Sequence, residues 1–173
     1  MVNGARCPVR VALVGNPNTG KTSLMNTLLG VHLHVGNWPG KTVEKHSGIL
    51  EMPGRVFELV DLPGTYALDA YSEEESITRG FLEEGVDIVV QVVDVNALER
   101  NLLLALQVLA LRGSRHMILA FNFNAEARRR GAYIESESLA RILELPVVEI
   151  EAHTGKNKEG LLQALVKAPT DIS

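Results

Sequence analysis

The stretch GNPNTGKT, residues 15–22, constrains the fold of this chain more than any other feature. It matches the pattern G-x-x-x-x-G-K-[ST]. This pattern indicates an anion-binding loop only when it follows a strand and begins a helix. Residues 9–14 form a nearly continuous apolar run, as in a buried strand. From Lys21 to Leu29, leucine and methionine recur at helical spacing. The sequence therefore predicts a strand–loop–helix unit whose loop can hold an anion.

The remaining chain alternates between strand-like and helix-like segments. We predict strands at 43–52, 56–61, 87–93, 116–121 and 147–150, and helices at 98–111, 138–145 and 159–167. Pro53-Gly54 is a turn dipeptide, so the two strands beside it must pair antiparallel as a hairpin. The other elements follow a β-α-β order. This order predicts an α/β fold with a six-stranded, mostly parallel sheet, one antiparallel hairpin strand and about five flanking helices.

Length and charge narrow the class of protein. The chain has 173 residues and fits a single domain, 1–173. Its net charge of −4 argues against a general nucleic-acid binder, and we interpret the consecutive arginines 128–130 as a solvated helix end. A single cysteine excludes an intrachain disulfide. Neither a signal peptide nor an apolar run of membrane-spanning length is visible, so we expect a soluble chain that could be cut from a larger protein.

The loop chemistry indicates a nucleotide phosphate site. Backbone N–H groups of the loop and of the following helix start point toward an anion, and glycine lets the backbone approach it closely. Lys21 is expected to reach the β- and γ-phosphates, and the Thr22 hydroxyl to hold Mg²⁺. The predicted phosphate-binding residues are Gly15, Asn16, Pro17, Asn18, Thr19, Gly20, Lys21, Thr22 and Ser23.

A second motif, DLPG, ends the strand predicted at 56–61. Asp61 is a candidate Mg²⁺ ligand, usually through a water, and the Gly64 N–H can sense a γ-phosphate. Leu62 and Pro63 complete this predicted segment of the binding site. The motif is common by chance, but its position about 40 residues after a phosphate-binding loop, and after a hairpin, makes it specific.

A third candidate lies in the polar stretch between the first two motifs. Within VGNWPGKTVE, residues Gly40, Lys41 and Thr42 could close over the phosphates, with the Thr42 hydroxyl contacting Mg²⁺ and the γ-phosphate. Hydrolysis would remove that contact and relax the loop, which is an order–disorder switch. Spacing alone does not separate Thr42 from Thr19, Thr22 and Thr27.

Together these segments resemble a Ras-type P-loop G domain. GNPNTGKTSLMN, VGNWPGKTVE, LVDLPGTYAL and VVDVNALERNLLLALQ resemble more specifically the cytosolic N-terminal G domain of the FeoB ferrous-iron transporter family, over residues 9–167. The resemblance implies a Mg²⁺-dependent GTPase that converts GTP to GDP at the cytoplasmic face of the bacterial inner membrane. It also implies that a helical domain and a membrane-embedded Fe²⁺ permease follow in the parent protein, which could be a homo-oligomer.

The resemblance implies a potassium site as well. Asn18 matches the residue that supports K⁺ binding beside the phosphates in potassium-activated G proteins, and carbonyls of Gly36 and Trp38 would complete the shell. These assignments make Asn18, Lys21, Thr42 and Gly64 the expected catalytic residues. Two alternatives remain open: Asn18 could only shape the loop, and Trp38 could be an exposed aromatic without an ionic role.

The position after DLPG departs from Ras-like enzymes. Thr65 stands there in place of the glutamine that orients the attacking water, so we expect slow intrinsic hydrolysis. The acidic run Glu73, Glu74, Glu75 is a candidate region for positioning water. We favour the simpler interpretation, a solvated helix in the switch region.

The base-recognition motif is degenerate. The usual Asn-x-x-Asp is Asn122, Phe123, Asn124 and Ala125 here, and a one- or two-residue shift does not restore it. The missing carboxylate normally accepts two hydrogen bonds from guanine. At about 1.5–3 kcal/mol each, their loss predicts ~10²–10⁴-fold weaker GTP binding and relaxed base specificity. The last base contact is expected from Glu151, Ala152 and His153, where Ala152 offers an N–H to guanine O6 and Glu151 a possible acceptor.

Two other functions fit parts of the pattern. A stand-alone GTPase acting on ribosome or tRNA shares GNPNTGKTSLMN but should carry an appended basic domain. A pseudo-GTPase would bind nucleotide without turnover; Ala125 favours it, whereas the intact Lys21, Thr22, Thr42 and Asp61 argue against it. The rate of phosphate release from GTP, compared between K⁺ and Na⁺ buffers, separates these possibilities.

Overall fold

A computed structural model describes residues 7–112 and 116–169 of the chain. The described strands are β1 Val9–Val14, β2 His34–Asn37, β3 Glu44–Met52, β4 Arg55–Asp61, β5 Ile88–Asp94, β6 Met117–Asn122 and β7 Val147–Glu149. The α-helices are α1 Lys21–Leu29, α2 Glu73–Glu84, α3 Leu98–Arg112, α4 Asn124–Arg129, α5 Ser136–Leu143 and α6 Lys158–Lys167. Short 3₁₀ turns lie at Gly30–His32 and Val95–Ala97.

The strands form one sheet in the order β2-β3-β4-β1-β5-β6-β7. β1 lies between β4 and β5 and is parallel to both, and β6 and β7 continue the parallel part. β3 and β4 are antiparallel across the Pro53-Gly54 turn, with Met52 opposite Arg55. The predicted mostly parallel α/β sheet with a hairpin is therefore confirmed.

The predicted number of strands is wrong, because the described sheet has seven strands instead of six. The additional strand, β2, pairs antiparallel with β3, with His34 opposite Ser47. All four residues of β2 are exposed, so no apolar alternation marks it in the sequence. The short helix α4, inside the segment interpreted as base-recognition loop, was also not predicted.

Helices cover both faces of the sheet, as its apolar central strands require. On one face, α1 and α6 contribute Leu24, Met25, Leu29, Leu161 and Leu165 to a core with the buried side chains of β1. On the other face, α2 and α3 contribute Phe81, Leu82, Leu104 and Val108. The sheet is therefore held from both sides, and the loops at its carboxyl edge extend from a rigid frame.

The acidic run is the solvated start of α2, which confirms the simpler interpretation. Ser72 caps the helix by accepting from the Glu75 N–H, while the Glu75 carboxylate accepts from the Ser72 N–H. Such a cap is worth about 1 kcal/mol. Among the residues described, no helix is both long and apolar enough to cross a bilayer.

Candidate functional site

The site lies at the carboxyl edge of the parallel strands. In open α/β sheets this edge collects the loops that bind ligands. Here it brings together the loop after β1, the DLPG segment after β4 and the loops after β6 and β7. The N–H of Thr65 donates to the carbonyl of Gly15 at 3.3 Å, and the side chain of Asn122 reaches the first loop. Four segments separated in sequence thus form one surface.

Close contacts explain both glycines of the first motif. A Cβ on Gly15 would lie 2.6 Å from the carbonyl oxygen of Val92, which is backbone and cannot move aside. Gly20 has a φ of +94° and forms the left-handed N-cap of α1, and a Cβ there would clash with the side-chain amide of Asn122. The loop can therefore take this shape only with glycine at these two positions.

Inside the loop, one side chain is buried without a partner. The Thr19 hydroxyl donates to the Asn16 carbonyl at 3.0 Å, which closes the turn. The Asn16 side chain is 1% exposed, and neither its Nδ2 nor its Oδ1 has a hydrogen-bond partner among the described residues. A buried, unsatisfied amide is costly and is most simply explained by a ligand that completes it.

Lys21 and Asp61 form a buried pair of opposite charge. Each is 7% exposed. Burial lowers the pKa of Lys21, and the nearby Asp61 carboxylate opposes this shift. Burial raises the pKa of Asp61, against the opposing effects of Lys21, the Thr22 hydroxyl and His46. Both groups are thus held where their charged forms are poorly solvated, as expected for a site that a charged ligand completes.

Thr22 and Asp61 present oxygen atoms toward each other. The Thr22 hydroxyl donates to Asp61 Oδ2 at 2.9 Å, and Asp61 Oδ1 is buried without a hydrogen-bond partner in the described part of the chain. A hydroxyl and a carboxylate with a free oxygen are the hard ligands that Mg²⁺ accepts. These residues therefore fit the ion that the sequence implies.

His46 is a residue of this site that the sequence analysis missed. It lies opposite Asp61 in the β3–β4 register, and its Nδ1 is 3.7 Å from Asp61 Oδ2. Its Nε2 is 3.4 Å from the Glu44 carboxylate. The signal was present, because a hairpin turning at Pro53-Gly54 with Met52 opposite Arg55 sets residue 46 opposite 61.

The DLPG segment packs closely against the first loop. A Cβ on Gly64 would lie 3.0 Å from the Cα of Pro17, so only glycine fits without displacement. The next residue, Thr65, is buried, and its hydroxyl donates to the Ala67 carbonyl at 2.7 Å. The Thr65 side chain is thus used to shape the segment.

The loop that carries Thr42 is attached to α2. The Lys41 ammonium forms an ion pair with the Glu73 carboxylate at 3.2 Å. The backbone N–H of Lys41 donates to the Trp38 carbonyl at 2.9 Å. Thr42 is exposed, and no hydrogen bond in the described ranges joins it to residues 15–22. The contact of Thr42 with the proposed metal site is therefore absent from the described state. It stays a prediction for a state in which this loop has moved.

Trp38 is buried, so its interpretation as an exposed aromatic is wrong. Its ring packs edge-on against Phe81 of α2 at 5.5 Å, and the Lys45 ammonium lies 5.0 Å above it. Gly36 lies in β2 opposite Lys45. Asn18 is exposed and has a φ of +64°. The predicted potassium ligands therefore lie on two separate segments, of which only the Asn18 segment belongs to the phosphate-binding loop.

Asn122 joins three loops at the predicted base-recognition end. Its buried Nδ2 donates to the Thr19 carbonyl at 2.9 Å, and its Oδ1 accepts from the Ala152 N–H at 3.0 Å. Asn124 is also buried and donates to the carbonyls of Phe121 and Ile150. The two asparagines of the degenerate motif therefore hold the loops together, whereas Ala125 is exposed.

The fold and this arrangement define a Ras-like P-loop G domain. The sequence profile described as Ferrous iron transport protein B matches residues 9–165. The Fe(2+) transporter FeoB of Campylobacter jejuni is 44% identical over 159 residues, which cover 91% of this chain and 26% of that protein. The chain thus spans about a quarter of the length of this relative, and a similar share of a Helicobacter pylori FeoB that is 42% identical over 161 residues.

Solved structures agree with this assignment. The G domain of the T. maritima FeoB iron transporter superposes with a TM-score of 0.87 at 40% identity, covering 94% of this chain and 99% of that one. The cytosolic domain of the same transporter in a GDP form gives a TM-score of 0.88 at 39% identity, with 96% and 66% covered. The chain therefore belongs to the FeoB family and corresponds to its cytosolic G domain.

Proposed function

We propose that this chain is the GTP-binding, slowly GTP-hydrolysing regulatory domain of a ferrous-iron membrane transporter. The observation that carries the proposal is the convergence of Lys21, Thr22 and Asp61 beside the glycine loop, with the hydroxyl–carboxylate hydrogen bond at 2.9 Å. GDP in the related T. maritima cytosolic domain supports a guanine nucleotide as ligand. The binding residues are those predicted at 15–23, 40–42, 61–64, 122–125 and 151–153.

In this proposal the phosphates offset the free-energy cost of burying the charged Lys21 side chain. The ammonium, whose pKa is lowered by burial, gains a strong partner when the β- and γ-phosphates bind. Backbone N–H groups at the start of α1 and the partnerless amide of Asn16 add neutral donors. The proposed sensor of the γ-phosphate is the N–H of Gly64, a residue that packs so closely on Pro17 of the loop that a Cβ would lie 3.0 Å from the Pro17 Cα.

Mg²⁺ would be held by Thr22 and Asp61, with Thr42 joining after its loop moves. When bound, the ion neutralises charge on the phosphate oxygens. Release of Lys41 from Glu73 and of Trp38 from Phe81 would free the loop for this movement. The loop and the start of α2 would thus report the state of the nucleotide together.

Slow turnover follows from the residue after DLPG. The Thr65 hydroxyl donates to the Ala67 carbonyl, so it is not available to orient water. We propose that backbone groups or a partner supply that function. We propose stimulation by potassium because the exposed side chain of Asn18 lies on the phosphate loop. A complete potassium site would require the carbonyls of Gly36 and Trp38 to approach Asn18.

Base specificity is proposed to be relaxed, because Ala125 provides no carboxylate. The Ala152 N–H, expected at guanine O6, is held by Asn122, so a ligand would share or replace this hydrogen bond. In the parent protein we propose that helical and Fe²⁺ permease domains follow, placing this domain at the cytoplasmic face of the inner membrane. A solved neighbour described as the cytosolic domain of L. pneumophila FeoB supports that location.

Phosphate release from GTP tests the proposal. We expect slow Mg²⁺-dependent release that is faster in K⁺ than in Na⁺. Lys21→Ala should weaken nucleotide binding ~10–100-fold, since a charge-assisted phosphate contact is removed from a buried site. Lys167→Ala, an exposed lysine on α6, is the control and should bind normally.

Two outcomes would favour other functions. Binding without any release at saturating GTP in K⁺ would indicate the pseudo-GTPase, which Ala125 favours. Unchanged binding in Lys21→Ala would mean that the nucleotide occupies a different pocket.

A further inference from the structure

We propose that the Glu151 carboxylate reads the guanine base in place of the aspartate that position 125 lacks. This inference rests on the proposed nucleotide site and deepens it, since it names the group that determines base selectivity. The observation is that Glu151 Oε1 accepts a hydrogen bond from the Ala125 N–H at 2.8 Å. A carboxylate therefore lies beside the amide of residue 125, although it belongs to a different loop.

This carboxylate lies close to where the missing one would be. An aspartate at position 125 would carry its carboxylate on its own Cβ, a few ångströms from its own amide nitrogen. Glu151 reaches the same amide from the loop after β7, across 26 residues of sequence. An acidic group of the second base-recognition segment thus lies beside the first segment.

The backbone around Glu151 is held at the site. The adjacent Ala152 is buried, its N–H donates to Asn122 Oδ1 at 3.0 Å, and its carbonyl accepts from the Thr27 hydroxyl at 2.7 Å. The Glu151 N–H donates to the Lys156 carbonyl at 3.2 Å. Because Asn122 also binds the phosphate loop through Thr19, the base end and the phosphate end keep a constant separation.

Neighbouring carboxylates are engaged elsewhere. Glu126, the other acidic residue near the motif, pairs with Arg130 at 2.6 Å. Glu149 pairs with Arg128 at 2.7 Å and also accepts from the Ser136 hydroxyl. Glu151 forms no ion pair with any cation in the described part of the chain. Its second oxygen and remaining lone pairs are therefore available to a ligand.

The chemistry of a carboxylate selects guanine. It is an acceptor only. Guanine presents N1–H and N2–H₂ donors, whereas adenine presents an unprotonated N1 and xanthine a C2 carbonyl at the corresponding edge, both of which a carboxylate repels. Glutamate must order more rotatable bonds than aspartate. We therefore expect guanine preference to be retained, but weaker than an aspartate at position 125 would provide.

The test uses GDP, XDP and ADP affinities measured by calorimetry with Mg²⁺. Glu151→Gln keeps the shape of the side chain and an oxygen that accepts from the Ala125 N–H, but removes the charge and adds a donor. We expect ~10–100-fold weaker GDP binding, tighter XDP binding because the amide donates to the C2 carbonyl, and little change for ADP. Glu126→Gln is the matched control and should alter none of the three.

A reciprocal variant makes the result decisive. Ala125→Asp combined with Glu151→Ser returns the carboxylate to position 125, and should bind GDP at least as tightly as the native chain. An equal loss for all three nucleotides in Glu151→Gln, or unchanged GDP and XDP affinities, would overturn the inference and leave the nucleotide site intact. Absence of binding of any nucleotide to the native chain would instead overturn the proposed function itself.

Discussion

The Thr22 hydroxyl donates a 2.9 Å hydrogen bond to Asp61 Oδ2, although the two residues are 39 positions apart. Thr22 stands at the start of α1 and Asp61 at the end of β4, and the parallel pairing of β1 with β4 brings these points together. The contact links the two strongest motifs of the sequence. It also places the buried charge of Asp61 beside Lys21, with consequences for stability.

Removal of the Asp61 charge should stabilise the nucleotide-free protein. Burial raises the pKa of Asp61, so the folded state binds its proton more tightly than the unfolded state does. The ionised carboxylate therefore costs stability, and this cost appears as pH rises from about 3.9, the unfolded value, through the raised folded pKa. Asp61→Asn should show a higher Tm than the native chain at pH 7, with a difference that shrinks toward pH 4.

The same variant should lose Mg²⁺-dependent nucleotide affinity, because an amide is a poorer ligand than a carboxylate for a hard cation. Thermal unfolding with and without GDP and Mg²⁺ measures both effects. The control is Asp69→Asn, an exposed aspartate beyond the DLPG segment. A lower Tm for Asp61→Asn at pH 7 would show that the attraction between Asp61 and Lys21 outweighs the cost of burial.

Thr65→Ala should separate structure from catalysis. The Thr65 hydroxyl is used by Ala67, so its removal should cost about 1 kcal/mol of stability and change the rate of phosphate release by less than ~3-fold. Single-turnover release and thermal unfolding of the same preparation provide the two readouts. A rate that falls 100-fold with little change in Tm would instead place this hydroxyl in the reaction.

Trp38 should act as an internal reporter of loop movement. It is the single tryptophan of the chain and is buried against Phe81. We expect Trp38 to leave this contact when Thr42 closes over the proposed metal site, so its fluorescence emission should shift to longer wavelength on binding a GTP analogue with Mg²⁺. Phe81→Leu should shift the emission of the nucleotide-free protein the same way, because an edge-on aromatic contact worth about 0.5–1.5 kcal/mol is lost. An emission maximum that does not change when the nucleotide binds would contradict the proposed loop movement.

Gly20→Ala should disrupt the link between the proposed phosphate and base ends of the site. Its φ of +94° disfavours a side chain, and the new Cβ would meet the Asn122 amide that holds Thr19. We expect at least ~1 kcal/mol of destabilisation and a clear loss of nucleotide affinity. Gly54→Ala, with a φ of +82° in the hairpin turn and open space around it, is the control: it should cost stability alone.

Local patterns in the sequence determined the class of fold and the proposed phosphate end of the site. Apolar runs, the helical spacing after Lys21 and the Pro53-Gly54 turn are set by neighbouring residues, so strands β1 and β3–β7 and the hairpin could be predicted. The first loop could be predicted for the same reason, since its glycines and Lys21 act within eight consecutive residues. Even the contact of His46 with Asp61 was encoded in the register of that hairpin.

The tertiary structure alone decided the rest, because those features depend on residues that are distant in sequence. β2 exists through its hydrogen bonds to β3, not through a pattern of its own. Trp38 is buried because α2 brings Phe81 beside it. The Glu151 carboxylate reaches the Ala125 amide because β6 and β7 are neighbours in the sheet. The motif records which acid is missing at position 125, whereas only the packing of two loops shows that another carboxylate lies beside the amide of that residue.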